Sequence, residues 1–237
     1  MKSFVKFQEP PTLPFPPKLT QILKNSPPSE DVQLQHAWDP DRRSLNICVK
    51  DEDPFTAHRF PVAQSTDGIC GKQAYSSGCH VWSVEWSESE RGTHAMLGVA
   101  TQRAKLHSAG YNGLLDFADQ IWGWNMNWGE FSEKQILFSK KKISEKLELN
   151  HNKQSMRYPK NCKNWTPPGK IYCILDMNAG TLAFATESNF LGVAFEGLEG
   201  KSLYPVVGVV WGHAEITMKY MGGDQMEKSE DGECKLH

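Results

Sequence analysis

Between about residue 32 and residue 220 the chain is cut into short apolar runs separated by Gly, Asn, Asp and Pro. Runs of that length and spacing cannot supply the long amphipathic helices of a bundle, and they are the pattern of an all-β sandwich or barrel. The clearest run is Ala-Glu-Ile-Thr-Met-Lys-Tyr at 214–220, where Ile216, Met218 and Tyr220 share one face and Thr217 and Lys219 the other. Segments 171–176 and 181–185 flank Met177-Asn178-Ala179-Gly180, whose Asn and Gly can both take left-handed backbone, so a tight hairpin is predicted. Further strands are predicted at 45–50, 69–74, 79–86, 95–100, 121–125, 135–138, 190–195 and 203–209, which brings the total to about ten or more.

The chain has 237 residues, enough for one large β unit with appendages. Its 26 Lys and Arg stand against 28 Asp and Glu, so no global field draws it to nucleic acid or an anionic membrane. No apolar stretch approaches the ~20 residues of a membrane helix, and the N-terminus carries no secretory signal pattern, so a cytoplasmic site is expected. The six cysteines are widely spaced with no C-x-x-C pair, so neither a zinc site nor a disulfide framework is signalled.

Three regions are expected. Residues 1–30 form a Pro-rich arm with a short helix at 18–24 that gathers Leu19, Ile22 and Leu23 on one face. Residues 31–223 form the β domain, and 224–237, almost without apolar residues, form a disordered tail. Within the domain, 132–163 reads as a basic insertion, nine Lys or Arg against three Glu. It is expected to be a solvated loop, with a local anionic contact as the functional alternative.

Catalytic and cofactor signatures fail in turn. Gly200-Lys201-Ser202 lacks the Gly five positions earlier that a phosphate-binding loop needs, since Phe195 stands there. Cys79 and His80 are adjacent on a strand and so point to opposite faces. No cofactor and no metal are expected, and no catalytic residue is assigned. What remains is an excess of Trp. Trp82 with Trp86, and Trp122 with Trp124, sit at period two and are expected in the core, whereas Trp211 lies in a Gly-containing segment between strands, where an indole can line a surface site.

Several segments carry a family resemblance: Arg59-Phe60-Pro61-Val62-Ala63-Gln64-Ser65-Thr66-Asp67, Arg91-Gly92-Thr93-His94-Ala95, Leu97-Gly98-Val99-Ala100-Thr101, Trp122-Gly123-Trp124, Leu175-Asp176-Met177 through Gly180-Thr181-Leu182, and Leu203-Tyr204-Pro205 through Trp211-Gly212-His213. They resemble the SPRY domain of the SPRY domain-containing SOCS box proteins. The resemblance implies a bent SPRY (B30.2-like) sandwich of two antiparallel sheets with a short N-terminal helix. It also implies a non-catalytic module that binds short Asp/Glu-Ile/Leu-Asn-Asn-Asn peptides, as in Vasa-type helicases, the prostate apoptosis response protein and inducible nitric oxide synthase. A monomer is implied too.

Carried over residue by residue, the peptide site would comprise Arg59, Pro61, Ala63 and Gln64, then Gly92 and Thr93, then Tyr111 and Leu114, and lastly Val210, Trp211 and Gly212. Arg59 and the Thr93 hydroxyl would serve the Asn side chains, while Tyr111 and Trp211 offer flat apolar walls. In that family a C-terminal SOCS box recruits elongins B and C and a cullin so that the partner is ubiquitinated. Only seventeen residues follow Tyr220 here, and they do not resemble that box. The expectation is therefore a peptide-binding module of the substrate-receptor type, the alternatives being a competitor that holds the same peptides without ubiquitination, or an interaction protein acting through 132–163.

Overall fold

The computed structural model describes residues 10, 12–110, 112–117, 120–126, 158, 159, 162 and 165–224. Helices α1 (Pro17–Lys24) and α2 (Glu30–Gln35) precede thirteen strands: β1 (Trp38–Arg43), β2 (Ile47–Lys50), β3 (Asp53–Arg59), β4 (Ser65–Gly71), β5 (Cys79–Trp86), β6 (Met96–Ala100), β7 (His107–Ala109), β8 (Ile121–Asn125), β9 (Lys170–Asp176), β10 (Thr181–Ala185), β11 (Phe190–Phe195), β12 (Tyr204–Val209) and β13 (Glu215–Asp224). All pairings among them are antiparallel, in two sheets. One runs β11-β10-β9-β5-β13-β3-β2; the other runs β1-β4-β12-β6-β8, with β7 beside the first part of β4.

Side-chain alternation explains how the sheets meet. Trp82, Val84 and Trp86 of β5, Ile216 and Met218 of β13, and Leu97, Val99, Val207 and Val209 of the facing sheet share one inter-sheet core. Trp38 lies wholly within it and donates its indole N–H to the Ile216 carbonyl at 3.0 Å, which satisfies the one polar atom the ring carries inward. Trp124 is buried in the same core, and Trp122 packs against its rim. The outer face of the seven-stranded sheet is also covered. Leu19 and Ile22 of α1 pack on Val81, Ile174 and Ala183, and Lys18 reaches Asp176 at 3.0 Å. Cys79 belongs to this outer cluster, while His80 on the opposite face bonds the Tyr220 hydroxyl at 2.9 Å.

The predicted hairpin is β9–β10, with Asp176 opposite Thr181. Its turn differs from expectation in one respect: Gly180 takes a left-handed φ of 62°, but Asn178 does not. The Asn178 side chain instead accepts the Gly78 amide at 3.0 Å, tying the turn to the start of β5. Residues 30–35, where the boundary between the arm and the β domain was placed, are helical; Glu30 and Asp31 in the first turn were the local signal. The expected strand at 135–138, most of the basic 132–163 insertion and the tail from 225 onward lie outside the described residues. Tyr158, near the end of that insertion, is half-buried: its hydroxyl donates to the Gly192 carbonyl at 2.8 Å and its ring packs edge-on to Trp124. Among the described residues no helix is long and apolar enough to cross a membrane.

Because α1 covers sheet surface that would otherwise be wet, Leu19→Ala will lower stability by about 2–5 kcal/mol, read as a shifted urea midpoint in equilibrium unfolding.

Candidate functional site

At one end of the sandwich the inward-facing stripes change character. In β3 the inward position after Ala57 is Arg59, and in β4 the one after Ile69, counting back, is Asp67. Both are fully buried, and they pair at 3.0 Å, closing the mouth of the core with a charge pair rather than with apolar groups. A pair removed from water survives only if its remaining donors and lone pairs are met, and here they are. Asp67 accepts from Arg59 Nε at 3.0 Å, Ser44 Oγ at 2.5 Å, Ser65 Oγ at 2.6 Å, Asn46 Nδ2 at 3.0 Å and His107 Nδ1 at 3.0 Å. Burial pushes the Asp67 carboxyl upward, but the hydrogen bonds from Ser44, Ser65, His107 and Asn46 outweigh it and leave the pKa below the ordinary Asp value.

Arg59 spends its other donors on the loop that follows β3. Its Nη1 donates to the Phe60 carbonyl at 3.1 Å, and its Nη2 to the carbonyls of Val62 and Ser65, both at 2.9 Å. The Arg59 side chain, expected to serve a ligand, is 1% exposed and lies beneath the loop as its support. The sequence carried the signal, since a carboxylate in line with the core stripe of β4 requires a buried cation.

Three loops stand on this floor. In the first, residues 60–64, Pro61, Ala63 and Gln64 are exposed; Gln64 adopts a φ of 52°, and its carbonyl accepts the Gly110 amide at 2.7 Å. The second, 210–213, is tied to the end of β3 by Arg59 N–H to the Ala214 carbonyl at 3.0 Å and His213 N–H to the Arg59 carbonyl at 2.8 Å. It holds Val210 half-buried and leaves Trp211 50% exposed. In the third loop Thr93 is exposed beside Gly92, whose φ is 58°.

Close approach shows how the loops meet. A methyl group on Gly212 would lie 2.8 Å from the Pro61 Cα, and one on Gly92 would lie 2.9 Å from Val210 Cγ2 and 3.4 Å from Trp211 Cε3. The 60–64 loop, the 210–212 segment and the Gly92 turn are thus in mutual contact. Arg91 fixes the last of these from below, donating to the carbonyls of Trp86, Pro167 and Pro168. Leu114 is buried and packs over Gly68 and Gly208, so it supports the sheet rather than lining the surface. Tyr111 lies outside the described residues; its neighbour Asn112 offers its carbonyl to the Thr66 hydroxyl at 2.7 Å, which brings that turn to the start of β4.

Sequence reasoning missed His107 and Arg91, which hold the site from behind, and the exposed Leu45 and Phe60 beside it. His107 had no visible signal, because its strand of three residues is too short to show periodicity. Among the described residues no group of three His, Cys, Asp or Glu side chains could hold a metal ion.

The SPRY domain model matches residues 79–222. The chain is 44% identical over 211 residues to the protein gustavus of Drosophila melanogaster, covering 88% of this chain and 70% of that protein. It is 43% identical over 211 residues to human SPRY domain-containing SOCS box protein 1, covering 88% and 72% respectively. Among solved structures, the SPRY domain of human HERC1 aligns with a TM-score of 0.49 at 15% identity, covering 77% of this chain and 97% of that one.

Two outcomes test the floor. Arg59→Ala strands a buried carboxylate and will cost about 3–5 kcal/mol in denaturant unfolding, far more than loss of a surface arginine. Asp67 is held below its unfolded pKa, so its contribution is full above the unfolded value of ~3.9 and disappears as pH falls through the folded value. Urea midpoints measured from pH 6 down to pH 3 will therefore fall at the acid end, and Asp67→Asn will start lower and lose that part of the slope.

Proposed function

The chain belongs to the SPRY domain-containing SOCS box protein family, and from that premise we propose that the mouth of its sandwich receives a short extended peptide of a partner protein. The ligand class is an acidic residue, then Ile or Leu, then a run of Asn. The observation that carries the reading is Trp211: an indole half-exposed in a short loop, backed by Gly92 on one side and joined through Gly212 to Pro61 on the other. Aromatic side chains on loops that a rigid β scaffold already holds are the common anchors of protein recognition.

The chemistry around Trp211 suits such a ligand. Asn side chains need donors and acceptors together, and exposed loop backbone at 61–64 and 92–93, with the Thr93 hydroxyl, provides both. Arg59 contributes by fixing those carbonyls and amides rather than by touching the ligand. Alternating peptide side chains could then rest on the Trp211 face. Capture is the part of the family's work that these residues would perform. Contact with a ubiquitin ligase is the part that a SOCS box, named in the relatives, would perform.

Calorimetric titration with an Asp-Ile-Asn-Asn-Asn peptide will give micromolar or tighter binding, about −8 kcal/mol or better. Trp211→Ala will weaken it by ~2 kcal/mol or more while leaving the thermal midpoint near that of the parent. No heat of binding from folded protein would refute the reading.

A further inference from the structure

Six large apolar side chains stand well exposed among the described residues, and four of them, Leu45, Phe60, Val62 and Trp211, are at the mouth of the sandwich. Leu45 is the extreme case at 91% exposure, at the tip of the turn between β1 and β2. A lone exposed Leu is ordinary on a protein surface. What distinguishes this one is the turn that carries it. Ser44 Oγ and Asn46 Nδ2 both donate to buried Asp67, Asn46 Nδ2 also donates to Ser65 Oγ at 3.2 Å, and Ile47 N–H donates to the Ser44 carbonyl at 3.2 Å. Arg43 Nη1 braces the same turn from its other side through the carbonyls of Ser44 and Ile47. The residues on either side of Leu45 are therefore among the most thoroughly bonded in the molecule, while Leu45 itself contributes almost no burial to the fold.

The turn is also continuous with the candidate site. Phe60 N–H donates to the Asn46 carbonyl at 2.9 Å. Asn46 follows Leu45 and Phe60 precedes Pro61, the residue that abuts Gly212, so this bond joins the turn that carries Leu45 to the first loop of the site. We infer that Leu45, with Phe60 beside it, forms an apolar extension of the site that takes an apolar side chain of the partner lying outside the Asn-rich segment. The inference rests on the peptide reading above and adds to it a requirement on the flanking sequence of the partner.

The size of the patch argues for a segment rather than a second copy of the chain. The four side chains together expose on the order of 500 Å², short of the ~800 Å² that each partner of a stable pair usually covers. An extended peptide advances about 3.3 Å per residue, so a partner held at Trp211 brings its flanking residues over Pro61 and Leu45 within a few positions. Because the turn is fixed before any partner arrives, the ordering cost on this side is small, which is the condition under which a single apolar contact contributes fully to affinity.

The test uses the full chain and three peptides that share the Asp-Ile-Asn-Asn-Asn core: one flanked on both sides by Ser, one with Leu residues before the core and one with Leu residues after it. One of the two Leu-flanked peptides is expected to bind roughly tenfold tighter than the Ser-flanked peptide. Leu45→Ser should abolish that gain while leaving both the affinity for the Ser-flanked peptide and the thermal midpoint at the parent values. Equal affinities for all three peptides, or a gain that survives Leu45→Ser, would overturn the inference while leaving the core reading intact. Failure of the core reading has a different appearance, since no peptide would then bind the parent chain and both proposals would go. A concentration-dependent dimer in sedimentation that Leu45→Ser dissolves would assign the patch to a second copy, and that too would overturn it.

Discussion

Arg59 and Asp67 are the pair on which the loop-bearing end of this molecule depends. Two sheets packed face to face need something to close each open end of the core, and an apolar plug at this end would have closed it without organising the loops beyond. A charge pair does more, because each member demands several further partners. Asp67 draws in the β1–β2 turn through Ser44 and Asn46, and β7 through His107. Arg59 draws down the carbonyls of the 60–65 stretch. Such a pair adds little net stability over a well-packed apolar alternative. Its effect is geometric: removing Asp67 frees the β1–β2 turn and β7 and leaves Arg59 without its counter-charge, and removing Arg59 frees the 60–65 stretch.

From that floor the logic runs outward in layers. The pair fixes the loop backbone, the loop backbone fixes Pro61 and Gly212 against each other, and that contact leaves Trp211 standing half out of the surface. Arg59 and Asp67 are thereby consumed in holding its shape, while the large apolar side chains Leu45, Phe60, Val62 and Trp211 stand uncovered beside exposed Gln64 and Thr93. A rigid polar base under an exposed apolar rim is an arrangement suited to recognition, since its ordering cost has been met in folding.

The sequence was most legible where one physical demand acted alone. Trp82 and Trp86 at period two could only face the core, and the 177–180 turn between two apolar runs could only be a hairpin, so β5, β9 and β10 were readable with nearly their observed bounds. Strands β1 and β3 were missed because Asp39, Asp41 and Asp53 break the apolar pattern, and their inclusion depends on pairing with β4, β2 and β13 across long stretches of chain. At the candidate site the family motif named loops that the fold brings into contact, but not the division of labour within them. A motif read residue by residue gives Arg59 and Trp211 equal standing; burial of 1% against exposure of 50% separates support from surface.

The same separation explains how this end of the fold accommodates the long stretch between β8 and β9. On the near side, Met126 N–H donates to the Ala95 carbonyl at 2.7 Å. On the far side, Tyr158 and Trp165 pack on Trp124, Trp165 with its ring nearly parallel at 5°, and Arg91 holds Pro167 and Pro168. Both flanks are therefore fastened to the 91–95 segment and to the core ring beneath it. Loop-closure cost grows only as the logarithm of length, so once the ends are fixed the intervening residues can vary widely at small thermodynamic expense. Among the described residues, the Gly92–Thr93 turn of the candidate site is held by Arg91, whose guanidinium ties it to the far flank at Pro167 and Pro168.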